Sequence, residues 1–202
     1  MAGNAKTEKS VSARQGSIRY CMRVSYPMKI KFLYDIAQGM LVLHSFRIIH
    51  RDLKPSNVLC QSPISYDNPE LCRIADFGTS RNVVVEKAMT MSKNIGTPLY
   101  MAPEVSIRDM KYGLPADVYS FGVIMAMVWN DGVQPYNDYI SDSANLLVDV
   151  ANGLRPTVMG VCPGDYYTLM TEAWNGDQDL RPKFGTIVKR LGIMLSNSRN
   201  VQ

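Results

Sequence analysis

His50-Arg51-Asp52-Leu53-Lys54-Pro55-Ser56-Asn57 puts a carboxylate, an ammonium and a carboxamide on one short stretch of chain. Those groups together can take a proton from a hydroxyl, neutralise a phosphate and hold a divalent cation. Singly, Asp52 or Asn57 reads as a solvated loop residue; eight such residues in this order read as a site. Upstream of the octet, Met28, Phe32, Ile36, Met40 and Leu43 recur at helical spacing, with Leu33, Ala37 and Leu41 widening the stripe. This predicts an amphipathic helix from Pro27 to about Ser45, with Pro27 in the first turn, where its missing N–H costs nothing. Ile48-Ile49 predicts a short strand entering the octet. Downstream, Val58 to Cys60 and Cys72 to Ala75 predict two more strands. They are joined by a polar, proline-bearing surface loop rather than a tight hairpin turn.

Farther along, Asp76-Phe77-Gly78 precedes a polar segment without periodicity that runs to about Gly96. Pro115 to Asn130 is apolar nearly all round, which predicts a buried helix. Further helices are expected at Ser143 to Asn152, Asp165 to Trp174 and Phe184 to Leu195. Gly16 to Met22 reads as one or two helical turns, residues 1–15 as a disordered tail and residues 196–202 as a C-terminal tail. The fold class expected is mainly α, a helical bundle with one short β-hairpin.

The 202 residues are 46% hydrophobic and 20% charged, enough apolar surface for one buried core. The formal charge of +4 owes part of its excess to Lys6, Lys9, Arg14, Arg19 and Arg23, which read as a solvated run. No interleaving of aromatic and basic residues points to nucleic acid. The four cysteines, Cys21, Cys60, Cys72 and Cys162, form no CxxC pair and have no histidine at ligand spacing, so free thiols are expected. The N-terminal stretch has no apolar signal region. The longest strongly apolar run, Val118 to Trp129, is 12 residues, too short to span a bilayer. A cytoplasmic protein without a membrane span is the expectation.

The motifs carry a family resemblance. HRDLKPSN at 50–57, DFG at 76–78, APE at 102–104, Asp117 in DVYSFGV and Arg181-Pro182 before the last helix stand in the order found in the C-terminal lobe of eukaryotic protein kinases, which this chain resembles. The resemblance covers about Gly16 to Leu195 and implies residues 16–195 as a kinase domain, C-lobe only. By it, Asp52 is the catalytic base, Lys54 a positive charge against the transferring phosphate, and Asn57 and Asp76 the metal ligands. ATP and Mg2+ are the implied cofactors, with Mn2+ as an alternative, and a protein is the implied substrate. His50 and Phe77, with Gly78, resemble packed spine positions, so a buried histidine is expected. Arg51 is of the type that pairs with a phosphorylated activation segment. Thr90 and Ser92 are the preferred acceptors for that phosphate, ahead of Thr79 and Ser80. Thr97 is implied to bond the catalytic loop, Glu104 and Arg181 to form a buried ion pair, and Asp117 to accept backbone N–H bonds from the loop.

Lys54, two residues after the base, and Gly96-Thr97-Pro98 match the serine/threonine pattern. Thr79-Ser80 after DFG, Tyr100-Met101 before APE and the Trp174 to Pro182 ending resemble the tyrosine-kinase-like group, and the long Gln61–Leu71 insertion resembles its leucine-rich-repeat and Roco-type members. The family also uses a glycine-rich loop over the phosphates and a strand lysine. None of the 14 glycines falls in a G-x-G-x-x-G pattern, and Lys6, Lys9, Lys29 and Lys31 are the only lysines before His50. The expectation is a truncated kinase domain without its N-lobe sheet, with little or no activity as an isolated chain. The alternative is a kinase-derived, non-catalytic binding module, meeting another kinase or a scaffold through the face that the N-lobe covers.

Overall fold

The protein, seen in a computed structural model, is described over residues 16–17, 24–61, 71–82, 97–106, 113–139 and 142–199. Helix α1 (Tyr26–Ser45) buries Phe32, Leu33, Ile36, Ala37 and Met40 of the stripe read from their spacing and Ile30 beside them, while Leu41 of that stripe is exposed. The amide of Phe46 bonds back to the carbonyls of Val42 and Leu43, and Arg47 takes the left-handed conformation, φ 58°, that turns the chain out of the helix. That turn delivers β2 (Ile48–Ile49), which pairs antiparallel with β5 (Arg81–Asn82). Strand β5 has no sequence signature: two polar residues offer no alternation.

The other sheet runs β1-β3-β4, all antiparallel, from β1 (Gly16–Ser17), β3 (Val58–Cys60) and β4 (Cys72–Ile74). Here the expected helical turn is corrected. Gly16 and Ser17 are extended and pair with Cys60 and Leu59, because the free edge of β3 offers backbone groups that a glycine-led dipeptide gains more by bonding than by helix formation. Residues 18–23 lie outside the described set. So do residues 1–15, the 62–70 connection, the 83–96 segment with Thr90 and Ser92, and residues 200–202.

Beyond α2 (Pro103–Ser106), helix α3 (Leu114–Trp129) is the central element, with every residue from Ala116 to Val128 buried. Helices α4 (Ser143–Ala151), α5 (Gly164–Ala173) and α6 (Phe184–Arg199) complete the bundle. The C-terminal tail expected from residue 196 is corrected over its described part, since α6 continues to Arg199. The hydroxyl of Ser196 bonds the Gly192 carbonyl at 3.0 Å and that of Ser198 the Leu195 carbonyl at 2.8 Å, so both serines turn back onto the helix. α1 lies along α6 and α3 against α5. Phe184 meets His44 and Phe121 edge-on, at 4.9 and 5.4 Å between ring centres.

One buried ion pair ties α2 to the turn before α6. Arg181 donates from Nη1 to Glu104 Oε1 at 2.6 Å and from Nη2 to Oε2 at 2.7 Å. Its Nε reaches the Asn175 carbonyl at 2.8 Å, Nη1 also reaches that of Pro115 at 3.0 Å, and the guanidinium lies 5.1 Å from the Tyr119 ring centre. A bidentate pair this dry is held by its supporting bonds, and removing one partner strands the other.

Two outcomes follow from this packing. Glu104→Ala lowers unfolding free energy by about 3–5 kcal/mol, read as a fall in melting temperature of roughly 10 °C; an unchanged midpoint contradicts the buried pair. At Gly122, an added Cβ falls 2.9 Å from the Trp174 backbone nitrogen and 3.1 Å from the Ala173 Cβ. Overpacking at that crossing costs about 1–3 kcal/mol, more than the gain of up to about 1 kcal/mol from alanine's helix propensity. Gly122→Ala therefore lowers the midpoint in scanning calorimetry, and a rise would refute the close approach.

Candidate active site

The catalytic loop hangs from α3. Asp117, in that helix's first turn and 1% exposed, accepts the backbone N–H of His50 at Oδ2 (2.9 Å) and that of Arg51 at Oδ1 (3.0 Å). His44 Nε2, from the last turn of α1, lies 2.9 Å from the same Oδ2. Arg51 needs the support, since its φ of 73° is a strained, left-handed conformation for a side-chain-bearing residue. His50 is fully buried. Its Nε2 lies 3.1 Å from the Ala75 carbonyl, and its Nδ1 faces the Asp52 amide at 3.4 Å. Both bonds are satisfied by the Nε2–H tautomer, with Nδ1 accepting.

With the loop so fixed, Asp52 sits among three polar partners. Lys54 Nζ is 2.6 Å from Asp52 Oδ2. Asn57 Nδ2 donates to Asp52 Oδ2 at 3.1 Å and to the Asp52 carbonyl at 2.9 Å. Thr97, from the far side of the 83–96 segment, donates its hydroxyl to Asp52 Oδ1 at 3.1 Å and accepts from Lys54 Nζ at 2.9 Å. The carboxylate is thus held in one orientation by a cation, an amide and a hydroxyl. Asp52 and Lys54 are both partly exposed, so a substrate hydroxyl can reach them.

Asp76 is brought to the same place by the β3–β4 pairing. The Ala75 amide donates to the Asn57 carbonyl at 2.8 Å, which seats residue 76 beside residue 57. Asp76 has φ 62°, and its Oδ1 accepts the Gly78 amide at 3.3 Å. The donor chemistry suits a hard cation. Asn57 spends its Nδ2 on Asp52, which leaves its Oδ1 outside those bonds, and Asp76 adds carboxylate oxygen. Among the described residues no group of three or more His, Cys, Asp or Glu could enclose a metal.

Other positions divide. Thr79 Oγ1 bonds the His50 carbonyl at 3.1 Å, tying the DFG turn to the catalytic loop. Glu104 and Arg181 lie in the ion pair above. Phe77 is corrected from a packed position to an open one: it is 50% exposed, with its ring centre 5.6 Å from that of His50. It borders a groove between α1 and β4, lined also by Val42, Gly39 and Ile74, that no described residue covers. Thr90 and Ser92 lie outside the described residues. Sequence reasoning missed Asp35. Its Oδ1 pairs with Lys31 at 2.5 Å and its Oδ2 accepts the amides of Leu71 at 2.7 Å and Cys72 at 3.3 Å, clamping β4 onto α1. The signal was there in a Lys and an Asp four residues apart on a helix otherwise rich in buried positions.

Comparison with known proteins bears on this geometry. Residues 13–191 match the family model described as protein tyrosine and serine/threonine kinase. The probable serine/threonine-protein kinase roco8 of Dictyostelium discoideum is 33% identical over 180 residues, covering 88% of this chain and 9% of the relative. A probable LIM domain-containing serine/threonine-protein kinase of the same organism is 36% identical over 182 residues, 88% of this chain and 26% of the relative. Its cyclic GMP-binding protein C is 33% identical over 175 residues, 85% of this chain and 6% of the relative. The chain thus spans about a quarter or less of the length of these relatives. With the loop, the Asp52 cluster and the Asp76 turn in kinase order on a helical C-lobe, the chain belongs to the protein tyrosine and serine/threonine kinase family.

Proposed function

We propose that this chain carries the transfer chemistry of a protein serine/threonine kinase, moving the γ-phosphoryl group of ATP to a protein hydroxyl. The observation that carries the reading is the Asp52 carboxylate, held by Lys54, Asn57 and Thr97 at 2.6 to 3.1 Å. Asp52 orients the acceptor hydroxyl and takes its proton late, since a loose transition state asks mainly for positioning and charge stabilisation. Lys54 exchanges part of its contact with Asp52 for the transferring phosphate, where a compact cation is most useful. Asn57 Oδ1 and the Asp76 carboxylate would hold magnesium, which would neutralise charge on the phosphate oxygens. Arg51 pairs with a phosphate on the activation segment, at Thr90 or Ser92. Lys54 and Thr97 together support serine or threonine as acceptor, as do two relatives described as probable serine/threonine-protein kinases.

The 202 residues hold no G-x-G-x-x-G pattern, and Lys6, Lys9, Lys29 and Lys31 are the only lysines before the octet, so in the chain alone phosphates over Lys54 stay hydrated and transfer is slow. A cytoplasmic setting belongs to the same reading, supported by Cys60, Cys72 and Cys162 standing outside any disulfide and by no described helix being long and apolar enough to cross a membrane. The groove beside Phe77, which no described residue covers, supports a second reading, a binding module that seats another kinase or a scaffold on that face.

The test joins the chain to the N-terminal lobe of a related serine/threonine kinase and follows labelled phosphate from ATP into a Ser/Thr/Tyr peptide mixture. The expected label is on serine and threonine, falling about a hundredfold or more in Asp52→Asn while the melting temperature holds. Label on tyrosine alone, or a rate indifferent to Asp52→Asn, overturns the proposal. A folded, nucleotide-binding fusion that transfers nothing favours the binding module.

A further inference from the structure

We propose that Cys60 and Cys72 form a redox-active dithiol, closing into a disulfide across the β3–β4 hairpin when the protein meets a hydroperoxide and reopening under a thiol reductant. The two residues are register partners on antiparallel strands, with their sulfurs 3.1 Å apart and neither in a disulfide. The ladder bonds flank them: Gln61 N–H donates to the Leu71 carbonyl at 2.9 Å and Ala75 N–H to the Asn57 carbonyl at 2.8 Å. Counting inward from both, residues 60 and 72 form a non-hydrogen-bonded pair, the closer type, with Cα atoms about 4.5 Å apart. That lies within the span of about 4.4–6.8 Å a disulfide bridges without moving backbone.

A second observation agrees. At such a pair the amide points away from the partner strand, and the Cys72 amide is turned to Asp35 Oδ2, at 3.3 Å. Asp35 is held by Lys31 on its other oxygen, and Cys60 is paired on its outer edge with Gly16. Both sulfurs are therefore set by backbone bonding on two sides, and about 1 Å of side-chain rotation closes the S–S bond.

The chemistry balances with the hydroperoxide as oxidant. One thiolate attacks a peroxide oxygen, the O–O bond breaks, and the leaving oxygen departs protonated as water or alcohol, leaving a sulfenic acid. The second thiolate attacks that sulfur and expels hydroxide, which takes up a proton. Two thiols become one disulfide and the peroxide is reduced. Both cysteines are buried, at 3% and 2% exposure, so the oxidant reaches them through local opening of the β3–β4 pair.

The site is tested on the native 202-residue chain. Reduced protein at pH 7 is exposed to hydrogen peroxide, quenched with a maleimide in denaturant, and read by intact mass and by peptide mapping. Expected is a monomer lighter by two hydrogens, a fall from four reactive thiols to two, and a linked peptide pair holding Cys60 and Cys72. Dithiothreitol restores all four, and Cys60→Ser abolishes the link. The proposal is overturned by a link that joins Cys21 or Cys162 instead, by a link between chains, or by Cys60 and Cys72 remaining thiols after peroxide has fully oxidised glutathione under the same conditions.

Discussion

One buried carboxylate positions the rest of the site. Asp117 receives two consecutive backbone amides, His50 and Arg51, on its two oxygens while His44 approaches one of them. A left-handed residue such as Arg51 costs of order 1–3 kcal/mol, and each hydrogen bond to a charged acceptor returns about 1.5–3 kcal/mol. Two such bonds offset the strain, so the loop holds a shape it would not hold alone. The shape is only as firm as its anchor, and α3, buried over its whole middle, has no direction in which to move.

From that anchor the arrangement spreads by short links. His50 passes the constraint to Ala75 through its ring and to Thr79 through its carbonyl, so the DFG turn follows the catalytic loop. The β3–β4 ladder adds a separate tie between Asn57 and Ala75, and Asp35 clamps the start of β4 to α1. The oxygens of Asn57 and Asp76 are therefore set by hairpin register, and the Asp52 oxygens by the loop. The two meet through the Asn57 amide. Glu104 and Arg181 act elsewhere, fixing the end of the activation segment to the helical bundle.

What the sequence made legible follows from how local each signal is. α1 and α3 announce themselves through apolar spacing, because burial of a helix face is written every three or four residues. The hairpin strands were readable from their β-branched and apolar runs. β1 and β5 were not, since a two-residue strand forms only because a neighbouring edge has unpaired backbone groups, a tertiary fact. The end of α6 is not legible in the sequence, because its serines read as tail residues and only their hydroxyl bonds to the preceding turn place them on the helix. Asp52, Lys54, Asn57 and Thr97 were legible as a set only through their order along the chain; the convergence of Thr97 on two of them depends on the whole path between. Phe77 was misplaced because burial depends on what lies over a residue, and residue type cannot report that.

The central claim is that Asp117 holds the catalytic loop through the amides of His50 and Arg51. Amide hydrogen exchange measured residue by residue tests it most directly. The account predicts that these two amides, in a loop without ladder partners, exchange as slowly as those in the middle of α3, and that Asp117→Ala releases them while amides in α6 keep their protection. Exchange at the rate of an exposed loop in the unaltered protein would contradict it.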